Sequence, residues 1–338
     1  MPKPSVSLSG LMRRAVALGL LSTACGRPPA PYAARAHEAM GTVFSVGAWG
    51  GDTARLRQAV DAAIDSVRWI DSLLSPDQEW SELTRVNRAA GRGPQPVSAP
   101  FVAVLGAGLS VARASSRAFD PTDADYRGVR LDSVRGTVQL RRGLTLKLSG
   151  IASGYALDRA RLALEGAVDS AVLGVGGVLL VISGSQSGPG RNVGVPDPGN
   201  SLSTLARLQL PAGAWAIGTT SITDVEPVRD PRTGQPAAQA RSVTTLARDG
   251  LTAAAWARAF FVLGCDRALA QAPQLGVGVI CVDDRTRWTA DLDGRVLLTT
   301  DSAQAAGTAP APGRGPVPAP GPAGSGSTTL PASSDSSR

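Results

Sequence analysis

The side chains able to take part in catalysis are few in this chain of 338 residues, which has one histidine and three cysteines. The single histidine, His37, argues against a Ser-His-Asp hydrolase. Cys265 and Cys281 have no histidine near them in sequence, which argues against a zinc site. Carboxylates and hydroxyls are therefore the candidate reactive groups. They include Asp230 and Thr233, in a segment whose composition also fits an ordinary turn.

Seven short motifs follow one another along the chain, and their order is more informative than any one of them. Taken singly, Met40 is typical of core packing, and paired glycines allow two backbones to approach closely. The motifs are Met40-Gly41-Thr42; Leu74-Ser75 followed by Ser81-Glu82-Leu83 and Asn87; Phe119-Asp120-Pro121-Thr122; GIASGYALD at 150–158; the glycines of 174–177; Asp230-Pro231-Arg232-Thr233-Gly234; and Phe261-Val262-Leu263-Gly264.

Together these motifs resemble the FAD:protein FMN transferase family, also known as the ApbE or thiamine-biosynthesis lipoprotein family, over about residues 38–283. The resemblance implies an exported enzyme that binds FAD and magnesium, cleaves the pyrophosphate and transfers FMN to a threonine of a partner protein. An active member would modify an acceptor in a membrane electron-transport complex. Attack by an alcohol on phosphorus depends mainly on positioning and charge neutralisation.

The resemblance also implies roles for particular residues. Asp230 and Thr233 would be the catalytic residues and would organise the phosphate end of the site. Contacts with the flavin nucleotide would come from Met40, Ala118, Phe119, Asp120, Lys147, Ser153 and Gly234.

The metal site departs from the family pattern. The family supplies an acidic residue and a hydroxyl, four positions apart, on the helix that ends in the Phe-Val-Leu-Gly motif. Those positions hold Ala254 and Arg258, and neither side chain can bind magnesium. A third family ligand, a backbone carbonyl, corresponds to Gly150, which alone would not hold the ion. We therefore expect the metal site to be lost.

Positions on the flavin side are altered as well. These changes, together with the altered metal positions, favour an alternative function. In this alternative, the protein is a catalytically silent family member that acts as a nucleotide-binding or scaffold lipoprotein. The altered positions are Lys147 for an aspartate, Ser153 for a lysine, Asp77 for an aromatic residue, Pro227 for a histidine, and Ile222 for the last residue of a Thr-Ser-Gly-Asp element.

Two of the replacements are cationic, which suggests a compensation. Arg258 and Lys147 would lie where a divalent ion is expected, and both can neutralise a phosphate oxyanion without a metal. This predicts a metal-independent nucleotide or phosphate pocket. The alternative is that Arg258 pairs with an acid such as Asp249 or extends to the surface.

The elements that must position these residues are predicted from hydrophobic periodicity. Strands and helices mix without a regular βαβ rhythm, so we expect an α+β fold with mixed, largely antiparallel sheets and packed helices, as in the T-fold-related ApbE-like family. The predicted strands are 38–49, short antiparallel strands within 129–148, a glycine-broken strand at 170–182, 214–218, 242–247 and 276–282. The predicted helices are one after Asp52 that continues to Leu74, 100–115, 154–164 and 252–270.

Both ends of the chain are predicted to lie outside the folded domain, 37–302. Residues 1–25 are typical of a lipoprotein signal peptide, with Cys25 as the lipidated residue that anchors the protein to the membrane surface. A cleaved signal with an incidental cysteine, or a protein that is not exported, remains an alternative. Residues 26–36 would form a tether, and 303–338, rich in Pro, Gly and Ser, a disordered tail.

Charge and composition exclude other classes. Three of the seven net positive charges lie before Cys25, and the remaining basic residues alternate with acids, so we expect no nucleic-acid partner. No run reaches the roughly 18–20 apolar residues of a membrane-spanning helix. In an exported chain, Cys265 and Cys281 could form a disulfide, although their spacing does not settle the question.

Overall fold

The structure, a computed structural model, describes residues 30–122, 124–184, 192–224 and 227–299. The predicted signal peptide with Cys25, and the tail 303–338, lie outside the described residues. The predicted tether is wrong in its last five residues. Tyr32 to Ala36 belong to a strand, because they pair in register with residues 45–49 of the following strand.

The described residues form six α-helices and fourteen strands. The helices are α1 (Thr53–Leu74), α2 (Glu82–Arg88), α3 (Ala99–Ala114), α4 (Ser149–Leu164), α5 (Gly250–Leu263) and α6 (Cys265–Gln271). The strands are β1 (Tyr32–Ala39), β2 (Thr42–Trp49), β3 (Gln95–Pro96), β4 (Val129–Asp132), β5 (Thr137–Leu140), β6 (Ser170–Val175), β7 (Val178–Ser183), β8 (Asn192–Asp197), β9 (Asn200–Gln209), β10 (Gly213–Ser221), β11 (Ser242–Ala247), β12 (Gly278–Val282), β13 (Thr286–Trp288) and β14 (Val296–Leu298).

An eight-stranded antiparallel sheet, in the order β1-β2-β6-β7-β10-β11-β12-β13, is the centre of the fold. Helices α1, α4 and α5 pack on one face. A small sheet, β14-β9-β8, packs on the other. Neighbouring residues of β10 show the two layers, since Ala216 belongs to the core on the helical side and Ile217 to the core beneath the small sheet. The predicted α+β class with largely antiparallel sheets is confirmed.

Two segments predicted as single strands are tight hairpins. In the first, β1 and β2 are joined by Met40 and Gly41, with φ of 58° and 72°. In the second, Gly176 and Gly177, with φ of 51° and 75°, join β6 to β7. Two successive residues with positive φ form the two-residue turn that matches the twist of a hairpin. Each segment therefore reverses direction where the hydrophobic pattern predicted one continuous strand.

Helix boundaries differ from prediction for local reasons. Helix α1 begins as predicted, with Asp52 accepting a hydrogen bond from the amide of Arg55. Helix α4 starts five residues earlier than predicted, at Ser149. The predicted helix 252–270 is two helices, because Gly264 has φ of 82° and ends α5. A disulfide joins Cys265, the first residue of α6, to Cys281 in β12.

Candidate functional site

Two neighbouring cavities lie where α4 begins, and both are lined by Gly150 and Arg258. Cavity A, of about 480 Å³, is formed by the loop after α3, the start of α4 and the loop before β11. Cavity B, of about 440 Å³, is formed by the β6–β7 turn, the end of β10 and α5. The site is thus built from loops and helix ends that the central sheet holds in place.

Cavity A brings together most of the residues that the sequence singled out. They come from segments more than a hundred positions apart, which only the tertiary fold makes neighbours. The predicted residues that line it are Ala118, Phe119, Asp120, Lys147, Gly150, Asp230, Gly234 and Arg258.

Three predicted site residues do not line either cavity. Met40 lies in the β1–β2 turn, where its backbone amide hydrogen-bonds Asp71, although its neighbour Thr42 lines cavity B. Ser153 is buried on α4, where its hydroxyl donates to the carbonyl of Ser149. The hydroxyl of Thr233 accepts a hydrogen bond from the amide of Gln235, which stabilises the turn rather than pointing to a ligand.

Asp120 shapes cavity A through its own hydrogen bonds. Its carboxylate is fully buried and accepts from the amide and hydroxyl of Thr122, from the amide of Tyr126 and from Arg117 Nε. All of these partners lie within six residues of it in sequence. Asp120 therefore fixes the loop that carries Phe119, and its charge is already balanced.

Arg117 is a site residue that sequence reasoning missed. It follows Ser116, and both have positive φ (66° and 52°), an uncommon backbone conformation for residues other than glycine. Its guanidinium pairs with Asp120 at 3.1 Å and also donates to the carbonyls of Ala124 and Pro231, the latter at 2.8 Å. Arg117 thus ties the two loops on either side of cavity A together.

Asp230 is held in an ion pair with its neighbour in the turn. Arg232 donates from Nε and one terminal nitrogen to the two carboxylate oxygens, at 2.8 and 2.7 Å. The side-chain hydrogen bonds from Arg232 lower the pKa of Asp230, so its carboxylate stays ionised at neutral pH. With both oxygens satisfied, Asp230 is suited to organising the loop and poorly suited to accepting a proton.

Cavity B contains a carboxylate that the sequence analysis did not assign. Ile222, the expected position of the family aspartate, is half exposed. Asp224, two residues later, instead accepts a hydrogen bond from the amide of Ser221 at 3.2 Å and lines the cavity. Asp224 keeps an exposed surface, and the partial burial of its carboxylate raises its pKa against the opposing effects of that hydrogen bond and of the nearby Arg258 charge. The signal in the sequence that could have identified Asp224 is an acid two positions after Ile222, where the family aspartate is expected.

Magnesium does not fit this site. Ala254 and Arg258, the two family ligand positions, both line cavity B, where they present a methyl group and a cation. Among the residues that line cavity B, Asp224 is the single carboxylate, and in the described parts of the chain no three His, Cys, Asp or Glu side chains cluster as metal ligands do. A divalent ion usually needs several hard oxygen ligands, and this lining offers one carboxylate.

Arg258 is not paired with Asp249, the acid considered from sequence. Asp249 caps the start of α5 and accepts a hydrogen bond from the amide of Thr252 at 2.7 Å. Arg258 lies two helical turns further on, is half-buried, and faces both cavities. The pairing with Asp249 is therefore wrong, while the side chain keeps part of its surface exposed.

Comparison with known proteins places the fold among flavin transferases. The sequence model of the ApbE family matches residues 40–125 and 123–281. An FAD:protein FMN transferase of Klebsiella pneumoniae (strain 342) is 26% identical over 72% of this chain and 82% of its own length. One from Treponema pallidum (strain Nichols) is 27% identical, with 80% and 90% covered.

Solved structures show the same fold at lower identity. The ApbE protein of Thermotoga maritima superposes with a TM-score of 0.67 at 22% identity, over 78% of this chain and 99% of that one. The flavin transferase ApbE of Vibrio cholerae gives 0.66 at 18% identity, over 79% and 100%. Within the described residues, no helix combines the length and apolar character needed to cross a membrane.

Proposed function

The chain belongs to the ApbE family, and on that basis we propose that it binds FAD in cavity A and transfers the FMN group to a threonine of an acceptor protein. The observation that carries the proposal is the convergence of Phe119, Lys147 and Asp230 on one cavity, in a fold shared with flavin transferases. Ala118 and Phe119 give the cavity an apolar wall for the flavin ring. Lys147 and Arg258 supply positive charge for the phosphates.

The proposed reaction exchanges a phosphoanhydride bond of FAD for a phosphoester bond to threonine. The threonine Oγ attacks the phosphorus of the FMN half of FAD, the new O–P bond forms, and AMP leaves with the electron pair of the broken pyrophosphate bond. The threonine proton needs an acceptor. Asp224 is the single carboxylate among the residues that line cavity B, and this position beside the site suits it to that role.

The test is to incubate the purified protein with FAD and threonine-containing acceptor peptides, in magnesium and in EDTA. Covalent flavin on the peptide and equimolar AMP are the expected products, and peptides with valine in place of threonine are the control. We expect Asp224→Asn to slow transfer while leaving FAD affinity within about twofold. Failure of the wild type to bind FAD would refute the proposal.

A second candidate, a silent nucleotide-binding member, is favoured by two observations. Ala254 and Arg258 remove the expected metal ligands, and Asp230 is fully paired with Arg232. Such a protein would show saturable FAD binding with neither covalent flavin nor AMP release. The incubation described above therefore separates the two candidates.

We also propose that the protein is exported and anchored through Cys25. The signal-like residues 1–25 support this, as does the Cys265–Cys281 disulfide, because disulfides persist mainly in oxidising compartments. Metabolic labelling with a fatty acid would test it: Cys25→Ala should abolish both lipid incorporation and membrane association.

A further inference from the structure

Arg258, the cationic residue at the expected metal position, packs closely against Gly150. A Cβ atom on Gly150 would lie 2.9 Å from Arg258 Nε and 3.1 Å from its Cζ. The guanidinium therefore lies directly over the Cα of Gly150, at the start of α4. Any larger residue at position 150 would displace it. The family resemblance assigns a metal-binding backbone carbonyl to Gly150. In this chain, Arg258 packs against that glycine.

The guanidinium of Arg258 has hydrogen-bonding capacity left for a ligand. Its five N–H groups make no hydrogen bond or ion pair with any residue in the described parts of the chain, and Asp224 is the acid whose pKa its charge affects. Arg258 is only partly exposed and opens onto both cavities. A half-buried guanidinium whose N–H groups have no protein partner is a strong site for an oxyanion.

The first turn of α4 adds donors on the same side of cavity A. Leu148 at the N-cap offers no side-chain hydrogen bond, and the amides of Ser149 and Gly150 donate to no described residue. Free amides at the start of a helix favour anions. Lys147, with an exposed side chain, precedes this turn and lines the same cavity.

The acids of cavity A do not cancel this positive charge. Asp120 is paired with Arg117, and Asp230 with Arg232. Arg258, Lys147 and the α4 amides thus leave cavity A with uncompensated positive charge. Arg229, an exposed residue of the same lining, adds to it, since its guanidinium donates to the carbonyl of Gly234 and pairs with no acid of the described residues. A ligand with two adjacent phosphates would span Arg258, Lys147 and the α4 amides.

We propose that Arg258, together with Lys147 and the first turn of α4, binds the diphosphate of a nucleotide directly and without a divalent metal. The inference rests on the proposed function for the identity of the nucleotide, and it deepens that function by assigning the phosphate-binding groups. Arginine fits two phosphate oxygens at once, so it replaces the charge of a metal ion but not its coordination chemistry.

The experiment titrates the full-length protein with FAD, ADP and inorganic pyrophosphate, in EDTA and in magnesium. Wild-type affinities are expected to be equal in the two buffers within about twofold. Arg258→Ala should weaken all three ligands by about tenfold or more, the size of a charge-assisted bidentate contact, and Arg258→Lys by less. Arg130→Ala, which removes one charge from an exposed position on β4, is the matched control and should change nothing.

A gain-of-metal variant provides an independent test. Ala254→Asp combined with Arg258→Ser restores the acidic and hydroxyl pair, so its ADP binding should become magnesium-dependent. Circular dichroism of each variant checks folding, and Arg258→Lys keeps the test valid if the alanine variant misfolds.

The outcomes separate this inference from the proposed function. FAD binding that requires magnesium, or that survives Arg258→Ala in EDTA, overturns the inference and leaves the function standing. Arg258-dependent binding of pyrophosphate without FAD binding supports the inference and overturns the function. Binding of none of the three ligands overturns both.

Discussion

At the scale of single residues, the arginines determine the character of the site. Arg117 cross-links two loops, Arg232 neutralises Asp230, and Arg258 occupies the expected metal position. Each acts through a planar fork of donors that lysine lacks. The site is therefore cationic, and two of its acids, Asp120 and Asp230, are already paired with arginines.

Arg117 offers a test at this scale. Arg117→Ala leaves the fully buried Asp120 carboxylate without its cation and removes the bond to Pro231. We expect a loss of about 2–4 kcal/mol in the free energy of unfolding, because breaking one side of a buried pair leaves an uncompensated charge. Urea denaturation measures it. Arg92→Ala, at an exposed loop position, should fall within about 0.5 kcal/mol of wild type. If the double variant Arg117→Ala/Asp120→Asn were no more stable than Arg117→Ala, this explanation would fail.

At the scale of elements, the contact between α4 and α5 determines where Arg258 lies. The two helices touch at Gly154 and Gly250, and a Cβ on Gly154 would lie 2.1 Å from the carbonyl oxygen of Gly250. At the same crossing, Asp158 of α4 accepts hydrogen bonds from the amides of Gly250 and Leu251, at 2.7 and 3.1 Å. One helix thus caps the other, which fixes the depth of α5.

The glycine contact predicts a large effect from one methyl group. In Gly154→Ala, the new methyl group would force the backbones of α4 and α5 apart. The variant should lose about 3 kcal/mol or more in the free energy of unfolding. Gly106→Ala in α3 is the matched control, because its new methyl group meets only Leu131, at 3.6 Å. That control should be neutral or stabilising by up to about 1 kcal/mol, from helix propensity. Thermal unfolding of the two variants compares them, and equal melting temperatures would contradict the role assigned to the crossing.

The cap supplied by Asp158 predicts a pH dependence. Burial raises the pKa of Asp158 to about 6, although the two amide hydrogen bonds act in the opposite direction. Its carboxyl in the unfolded chain has a pKa of about 3.9, so between these values the native state binds the proton more tightly. This group's contribution is complete at low pH and is lost as the pH rises through about 6, a change of up to about 2–3 kcal/mol.

Asp158→Asn isolates this contribution. Asparagine cannot ionise, so the difference in unfolding free energy between variant and wild type should change with pH between about 4 and 6 and be flat above about 7. Urea titrations at half-unit pH steps measure it. Asp71 and Asp224, whose pKa values burial also raises, are present in both proteins and cancel in the difference. A difference that does not vary with pH would show that Asp158 has the same pKa in both states.

At the scale of the whole molecule, a disulfide ties helix α6 to a strand of the eight-stranded sheet. Cys265 and Cys281 are both buried and link α6 to β12 across 16 residues of sequence. Closing a loop of that length removes denatured-state entropy worth about 3 kcal/mol. The double variant Cys265→Ala/Cys281→Ala should therefore be less stable by about 2–4 kcal/mol.

Chemical unfolding with and without reductant checks the disulfide prediction. Reductant should lower the stability of the wild type towards that of the double variant and leave the variant unchanged. Because both sulfurs are buried, reduction of the native protein should be slow and should accelerate in mild denaturant. Identical stability of wild type and variant in oxidising buffer would mean that the disulfide does not form.

The sequence by itself determined the family, the α+β class, helix α1 and most residues of cavity A. It did so because motif order and hydrophobic periodicity are properties of neighbouring positions. Only the tertiary structure decided that Arg258 packs on Gly150, that Asp224 lines cavity B, and that Arg117 reaches Pro231. Those contacts depend on how two hairpins reverse and how closely α4 approaches α5, and local propensity carries no information about approaches between segments distant in the chain.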